Sequence, residues 1–188
     1  MRDVSSPESP CTSRLGRPQS NSDSRINNNE LRRRHAPLTE FVEQATHAPL
    51  DFAPGARYQY SSMGILLAAR VGEIVSGSDM LTLVDRNVFR PLEMKHSAQG
   101  LGRFKLEEMV SCQTEGAAPE SGSGDPQAKE WDWNSPYWRK LGAPWGGTHA
   151  SAPDVAAFLR EFLGTRGQVL KPETSRLMIK NHHPAGFT

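Results

Sequence analysis

Apolar residues recur at three- and four-residue intervals in several stretches of the chain, the spacing that places side chains on one face of a helix. Leu38, Phe41, Val42 and Ala45 form such a face and predict a helix over 37–48. Asp51-Phe52-Ala53-Pro54-Gly55 then breaks the chain into a turn, because proline fixes φ and glycine admits positive φ. Arg57-Tyr58-Gln59-Tyr60 alternates briefly and reads as a short extended segment. The strongest periodicity follows it: Met63, Leu66, Leu67, Val71, Ile74 and Val75 share a face, with Ser61 or Ser62 as cap and Gly77 as terminator. A further helix is predicted over 79–89, with Leu81, Val84 and Val88 inward and Pro91 ending it.

The later part of the chain is less regular. Trp131, Trp133, Tyr137, Trp138 and Trp145 cluster in a segment whose pattern is too irregular for a helix, and such rings cover a core edge or line a pocket. Gly146-Gly147 marks a tight turn. Ser151-Ala152-Pro153-Asp154 caps a helix whose predicted inner face is Val155, Phe158, Leu159 and Phe162, stopped by Gly164. A last helix is predicted over 172–180, with Pro172 in its first turn. Two polar stretches interrupt this pattern. Residues 1–36 are rich in Ser, Pro, Asn and Arg and are expected to be disordered or loose, leaving 37–188 as a partial domain; a second such stretch at 113–130 has the composition of a flexible loop. No internal repeat is visible, and the ordered part is expected to be mainly helical with few short strands.

Composition narrows the function classes. The formal charge is +1, from 22 basic and 21 acidic residues, so no global field draws the chain to nucleic acid or an anionic membrane. The run Arg32-Arg33-Arg34-His35 is too short for a phosphate-binding face and reads as a solvated charge cluster. Cys11 and Cys112 lie far apart and outside any metal-ligand spacing, which leaves two ordinary thiols. His182-His183 lacks a third ligand at metal spacing. No secretory signal and no membrane span are evident within these residues, and the compartment stays open.

Three segments, in order, carry a resemblance. Phe52-Ala53-Pro54-Gly55-Ala56-Arg57-Tyr58-Gln59-Tyr60-Ser61-Ser62-Met63-Gly64-Ile65-Leu66-Leu67 resembles the tyrosine-motif region of the β-lactamase-related serine hydrolases, which include class C β-lactamases, D-alanyl-D-alanine carboxypeptidases and esterases. Phe89-Arg90-Pro91-Leu92-Glu93-Met94 looks like the family's Phe-x-Pro-Leu-Gly-Met segment, and Gly146-Gly147-Thr148-His149-Ala150-Ser151 like its Gly-Gly turn before a helix. The resemblance implies an α/β (α+β) fold of the β-lactamase/transpeptidase-like type, of which this chain covers mainly the helical subdomain. It also implies acyl-enzyme transfer on a β-lactam, peptide or ester, with neither cofactor nor metal. In such enzymes the serine of Ser-x-x-Lys attacks the carbonyl while lysine and a tyrosine move its proton. Tyr60 matches that tyrosine and is the candidate catalytic residue; Ser62 stands where the family usually has a substrate-binding asparagine. Relatives usually work in the periplasm or outside the cell.

Other family motifs do not appear. No serine in the chain has a lysine three residues on, and neither a Gly-x-Ser-x-Gly elbow nor a closing Lys-Thr-Gly triad is present. Cys11-Thr12-Ser13-Arg14-Leu15-Gly16 faintly resembles the family's His-Thr-Ser-Gly-Leu segment, which would place the nucleophile ahead of this chain. A serine-hydrolase fragment, inactive by itself, is therefore expected, with apolar helix faces exposed where the sheet is missing and self-association through them. Two alternatives stay open: a non-catalytic ligand-binding homologue using the aromatic segment, and a truncated gene product without function. Tyr60 also has a plain structural reading, as a hydrophobic staple packed on Ile65. His149 and Asp154 read as loop and helix-cap residues rather than a catalytic pair.

Overall fold

The computed structural model describes residues 26–117, 121–163 and 167–182. Its helices are α1 (Asn28–Arg33), α2 (Leu38–His47), α3 (Ser62–Ser76), α4 (Met80–Val84), α5 (Pro136–Leu141), α6 (Ala152–Leu159) and α7 (Pro172–Ile179). Two short strands, β1 (Ser97–Gln99) and β2 (Thr148–Ala150), pair antiparallel with Ala98 opposite His149. The helix-rich architecture with few strands matches the fold class that the motifs implied.

Helix α3 has the ends its sequence encodes. Ser61 is extended and its Oγ accepts a hydrogen bond from the Gly64 N–H at 3.1 Å, satisfying one of the donors that a helix start leaves open. At the other end Gly77 takes φ of 68°, a left-handed turn that costs a residue without Cβ little. The helix expected over 79–89 is α-helical only to Val84; Asp85–Phe89 widens into a π-helical turn closed by the Arg90 N–H on the Asp85 carbonyl.

The main core gathers Ile26, Leu31, Ala36, Phe41, Met63 and Leu66, so α1, α2 and α3 share one apolar centre, flanked by Leu141 and Trp145. Helix α1 falls inside the stretch expected to be loose. Its Leu31 is buried in that centre, and Arg32 lies over the rings of Trp131 and Trp138 at 4.9 and 4.4 Å. Few apolar residues suffice there because the rest of the core is supplied from elsewhere in the chain. The expectations for residues 1–25 lie outside the described residues, as do those for Gly164 and His183.

The aromatic segment also differs from its reading. Ser135 caps α5 by accepting from the Trp138 N–H at 3.0 Å, Pro136 enters the first turn, and Gly142 at φ of 60° ends it. The short capped helix was hidden because one and a half turns are too few to display periodicity. A second cluster of Phe89, Leu92 and Met94 packs against Val84, Val88, Phe158 and Val169. Leu81 of α4, expected inward, is exposed, and two further predicted faces fail. Val155 and Leu159 of α6 are exposed, and so are Val71, Ile74 and Val75 of α3, whose buried residues are Met63, Leu66 and Ala69. Both helices are apolar around more than one face, and periodicity does not say which face is covered.

Candidate active site

The approach to Tyr60 is set by a turn. Pro54 and Gly55, the latter at φ of 79°, reverse the chain so that the Ala56 N–H donates to the Ala53 carbonyl at 3.1 Å. The Arg57 guanidinium then lies 4.4 Å from the centre of the Phe52 ring, a cation–π contact that ties the two sides of the turn together. Residues 57–60 form no strand among the described residues, in contrast to the extended segment expected.

Tyr60 follows immediately, with 52% of its surface in solvent. Its phenol oxygen is 3.4 Å from Ser62 Oγ, a long contact in which either hydroxyl can donate. Ser61 points its own hydroxyl into the helix, on the Gly64 N–H. The capping geometry thus separates two adjacent serines: Ser61 holds the helix end, while Ser62 is directed to the phenol. The two candidate residues are brought together. Ile65, the partner in the staple reading, is itself 48% exposed.

His149 and Asp154 do not meet as a pair through their hydrogen bonds. His149 sits in β2, where its Nδ1 lies 2.9 Å from the Gly100 carbonyl, and burial lowers its pKa from the ordinary 6.5, aided by the charge of Arg139. Asp154, buried near the start of α6, accepts from the His96 N–H at 2.7 Å and from Ser97 Oγ at 2.8 Å. Its carboxylate fastens the start of β1 to α6. His182 Nε2 lies 2.7 Å from the Leu177 carbonyl, and among the described residues no three His, Cys, Asp or Glu groups gather as metal ligands.

Sequence reasoning missed a cavity of about 490 Å³ lined by His35, Ala36, Pro37, Glu130, Pro136, Tyr137, Lys140 and Leu141. The His35 and Tyr137 rings stack at 4.5 Å, and the Tyr137 hydroxyl donates to the Ala36 carbonyl at 2.7 Å. Burial pushes the Tyr137 phenol up to about 12, against the opposing charges of Arg32 and Arg34. No sequence signal joins positions so far apart. Trp131 and Trp138, by contrast, are buried rather than open to a ligand. A smaller cavity of about 280 Å³ lies between α4 and β1, lined by Leu81, Phe89, Ala98 and Arg103 among others; Tyr60 borders neither space.

Known proteins give the arrangement its context. The β-lactamase family model matches residues 11–188. A protein of Escherichia coli (strain K12), provisionally assigned as a D-alanyl-D-alanine carboxypeptidase, is 26% identical over 77 residues, which are 40% of this chain and 18% of that protein. Among solved structures, a penicillin-binding protein from Bacillus halodurans superposes with a TM-score of 0.56 at 21% identity, covering 79% of this chain and 42% of its own. The D-amino acid amidase of Ochrobactrum anthropi SV3 gives 0.55 at 22% identity, covering 73% and 40%. The octameric penicillin-binding protein homologue from Pyrococcus abyssi gives 0.59 at 16% identity, covering 89% and 35%. This chain thus spans less than half the length of each. No helix among the described residues is long and apolar enough to cross a membrane. With the family model matched over nearly the whole sequence and the fold shared by these structures, the chain belongs to the β-lactamase family of serine hydrolases.

Proposed function

We propose that this chain contributes the tyrosine side of an acyl-transfer site acting on a β-lactam, peptide or ester, and that it does not turn over such substrates alone. The observation that supports the reading is the half-exposed Tyr60 phenol held at the head of α3 within hydrogen-bonding reach of Ser62 Oγ. In this role the phenol relays the proton released when a serine hydroxyl attacks the substrate carbonyl, and later returns one to the leaving group. Ser62 orients the substrate. A hydroxyl has less reach than the two-ended amide usual at this position in the family, so positioning is weaker.

A phenol is a poor base at neutral pH unless nearby positive charge stabilises its anion, and the Ser-x-x-Lys lysine that supplies it is absent from the sequence. The attacking hydroxyl is absent for the same reason. Incubating the purified chain with an activated ester and a fluorescent penicillin tests both points. The expected result is no turnover above a Tyr60→Phe control and no covalent adduct by mass spectrometry. Turnover that a serine-directed covalent inhibitor abolishes would overturn the assignment of the missing nucleophile.

A further inference from the structure

Each basic residue in the run at the end of α1 has a partner. Arg32 donates to the Trp131 carbonyl at 3.2 Å, and Arg34 pairs with Glu40 at 2.5 Å. The Arg33 guanidinium grips Asp125 Oδ2 through Nε at 3.2 Å and Nη2 at 2.7 Å, and His35 Nε2 lies 2.8 Å from the Glu130 carbonyl. A carbonyl only accepts, so that ring nitrogen carries the proton. Arg33 and His35 therefore tie one segment, 122–130, to the end of α1. Its sequence, Gly-Ser-Gly-Asp-Pro-Gln-Ala-Lys-Glu, holds no large apolar side chain. Ser121 and Trp131 on either side of it are buried, while residues 123–130 are half-buried or exposed. Between these anchors the segment folds on itself: the Asp125 N–H donates to the Gly122 carbonyl, the Ala128 N–H to that of Asp125 and the Glu130 N–H to that of Gln127. Single hydrogen-bonded turns do not persist by themselves in water, so the two ties help to hold these in place.

We propose that residues 122–130 are a strap that opens locally, apart from the rest of the fold, with the Arg33–Asp125 pair as its salt-sensitive latch. A segment that buries few apolar contacts opens at a lower free energy than the core around it. Salt reaches the latch readily, because Arg33 and Asp125 keep 42 and 20% of their side-chain surfaces in solvent. Glu130, the last residue of the strap, lines the cavity of about 490 Å³ together with His35 and Tyr137, so opening withdraws one wall of that space. The strap, its anchors and its ties all belong to this chain, and they require neither a second polypeptide nor the catalytic reading of Tyr60.

Hydrogen exchange of the full chain, followed by mass spectrometry in low and high sodium chloride, tests the proposal, with α2 and α3 as internal references. Between about 10 mM and about 1 M salt the screening length shrinks from about 30 Å to about 3 Å. The peptide spanning 122–130 is expected to exchange faster than α2 and α3, and to speed up by about two- to fivefold in high salt, the weight of one exposed ion pair, while the helices do not change. Arg33→Gln should exchange at the fast rate in either salt. Asp125→Asn should do the same; it leaves the Arg33 guanidinium 5.3 Å from the centre of the Trp131 ring and so separates the ion pair from that contact. Arg34→Gln, which removes the partner of Glu40 instead, should keep the salt response of the strap. A strap that exchanges as slowly as the helices, or speeds up only together with them, overturns the proposal. So does a salt response that survives in both Arg33→Gln and Asp125→Asn.

Discussion

Ser97 Oγ donates a 2.8 Å hydrogen bond to Asp154, whose same carboxylate oxygen accepts the His96 N–H at 2.7 Å. Both Ser97 and Asp154 are buried, so the entry to β1 is held to α6 by a charged acceptor shielded from water. Asp154→Ala leaves the amide and the hydroxyl without their acceptor and should cost about 2 to 3 kcal/mol in urea unfolding. Ser97→Ala removes one of the two donors and should cost about 1 kcal/mol. The double variant should be less destabilised than the sum, by about 1 kcal/mol; additivity would show that the contact does not couple the sites.

Gly147 is fixed by backbone proximity rather than by φ. A Cβ there would lie 2.4 Å from the Ala143 amide nitrogen and 2.7 Å from the Gly142 carbonyl carbon. Gly147→Ala therefore must displace main chain and should lower stability by more than about 2 kcal/mol. Gly55 offers the contrast: a Cβ meets nothing within 4 Å, and only its φ of 79° opposes substitution. Gly55→Ala should cost about 1 kcal/mol, and a larger loss than at Gly147 would refute the steric account.

His149 gives the fold a pH dependence. Its pKa is depressed in the folded chain below the ordinary 6.5, so the unfolded state binds the proton more readily. Stability is then complete above 6.5 and falls as pH drops below that value toward the depressed folded pKa. His149→Gln should flatten the thermal-midpoint profile in this interval while leaving the acid limb, which begins near 3.8 with Asp79 and Asp125, in place. An unchanged profile between pH 5 and 7, about the range of histidine titration, would count against it.

Tyr137 should appear as a late step in a spectrophotometric alkaline titration, near 12, absent in Tyr137→Phe. Because its folded pKa is raised, the neutral phenol is favoured in the native state, and stability declines as pH climbs from 10 toward 12. A Tyr137 titration centred at the ordinary phenol value, about 10, would mean that the phenol is not shielded from water as the structure has it.

The sequence made α2, α3 and α7 legible because each has a periodic face or a distinct terminus: Ser61 and Gly77 bound α3 where the pattern places them, and Pro172 opens α7. It did not reveal α1 or α5. Their six residues are too short to show a period, and both are stabilised by distant partners, such as the Arg32 side chain donating to the Trp131 carbonyl. The buried face of α3 was only half right for a related reason. Met63 and Leu66 are interior, but the run is apolar on two sides and spacing does not choose between them. Of the site, Tyr60 and Ser62 were singled out by the motif resemblance, and their contact follows from standing two positions apart at a helix start. The stacking of His35 on Tyr137 could not, since a ring contact across so many positions leaves no mark in either segment.

The two-stranded ladder has a kinetic corollary. Gln99 and Thr148, joined by a 2.6 Å hydrogen bond across it, are 49 positions apart, whereas α2 and α3 meet through a short connection. Closing so wide a loop for only three residue pairs is entropically slow, and the encounter is rewarded together with the Gln99 bonds to the Gly142 and Ala143 carbonyls and the Asp154 bonds to His96 and Ser97. During synthesis the segment from Ser97 to Gln99 must therefore wait, unpaired, until its partner strand emerges.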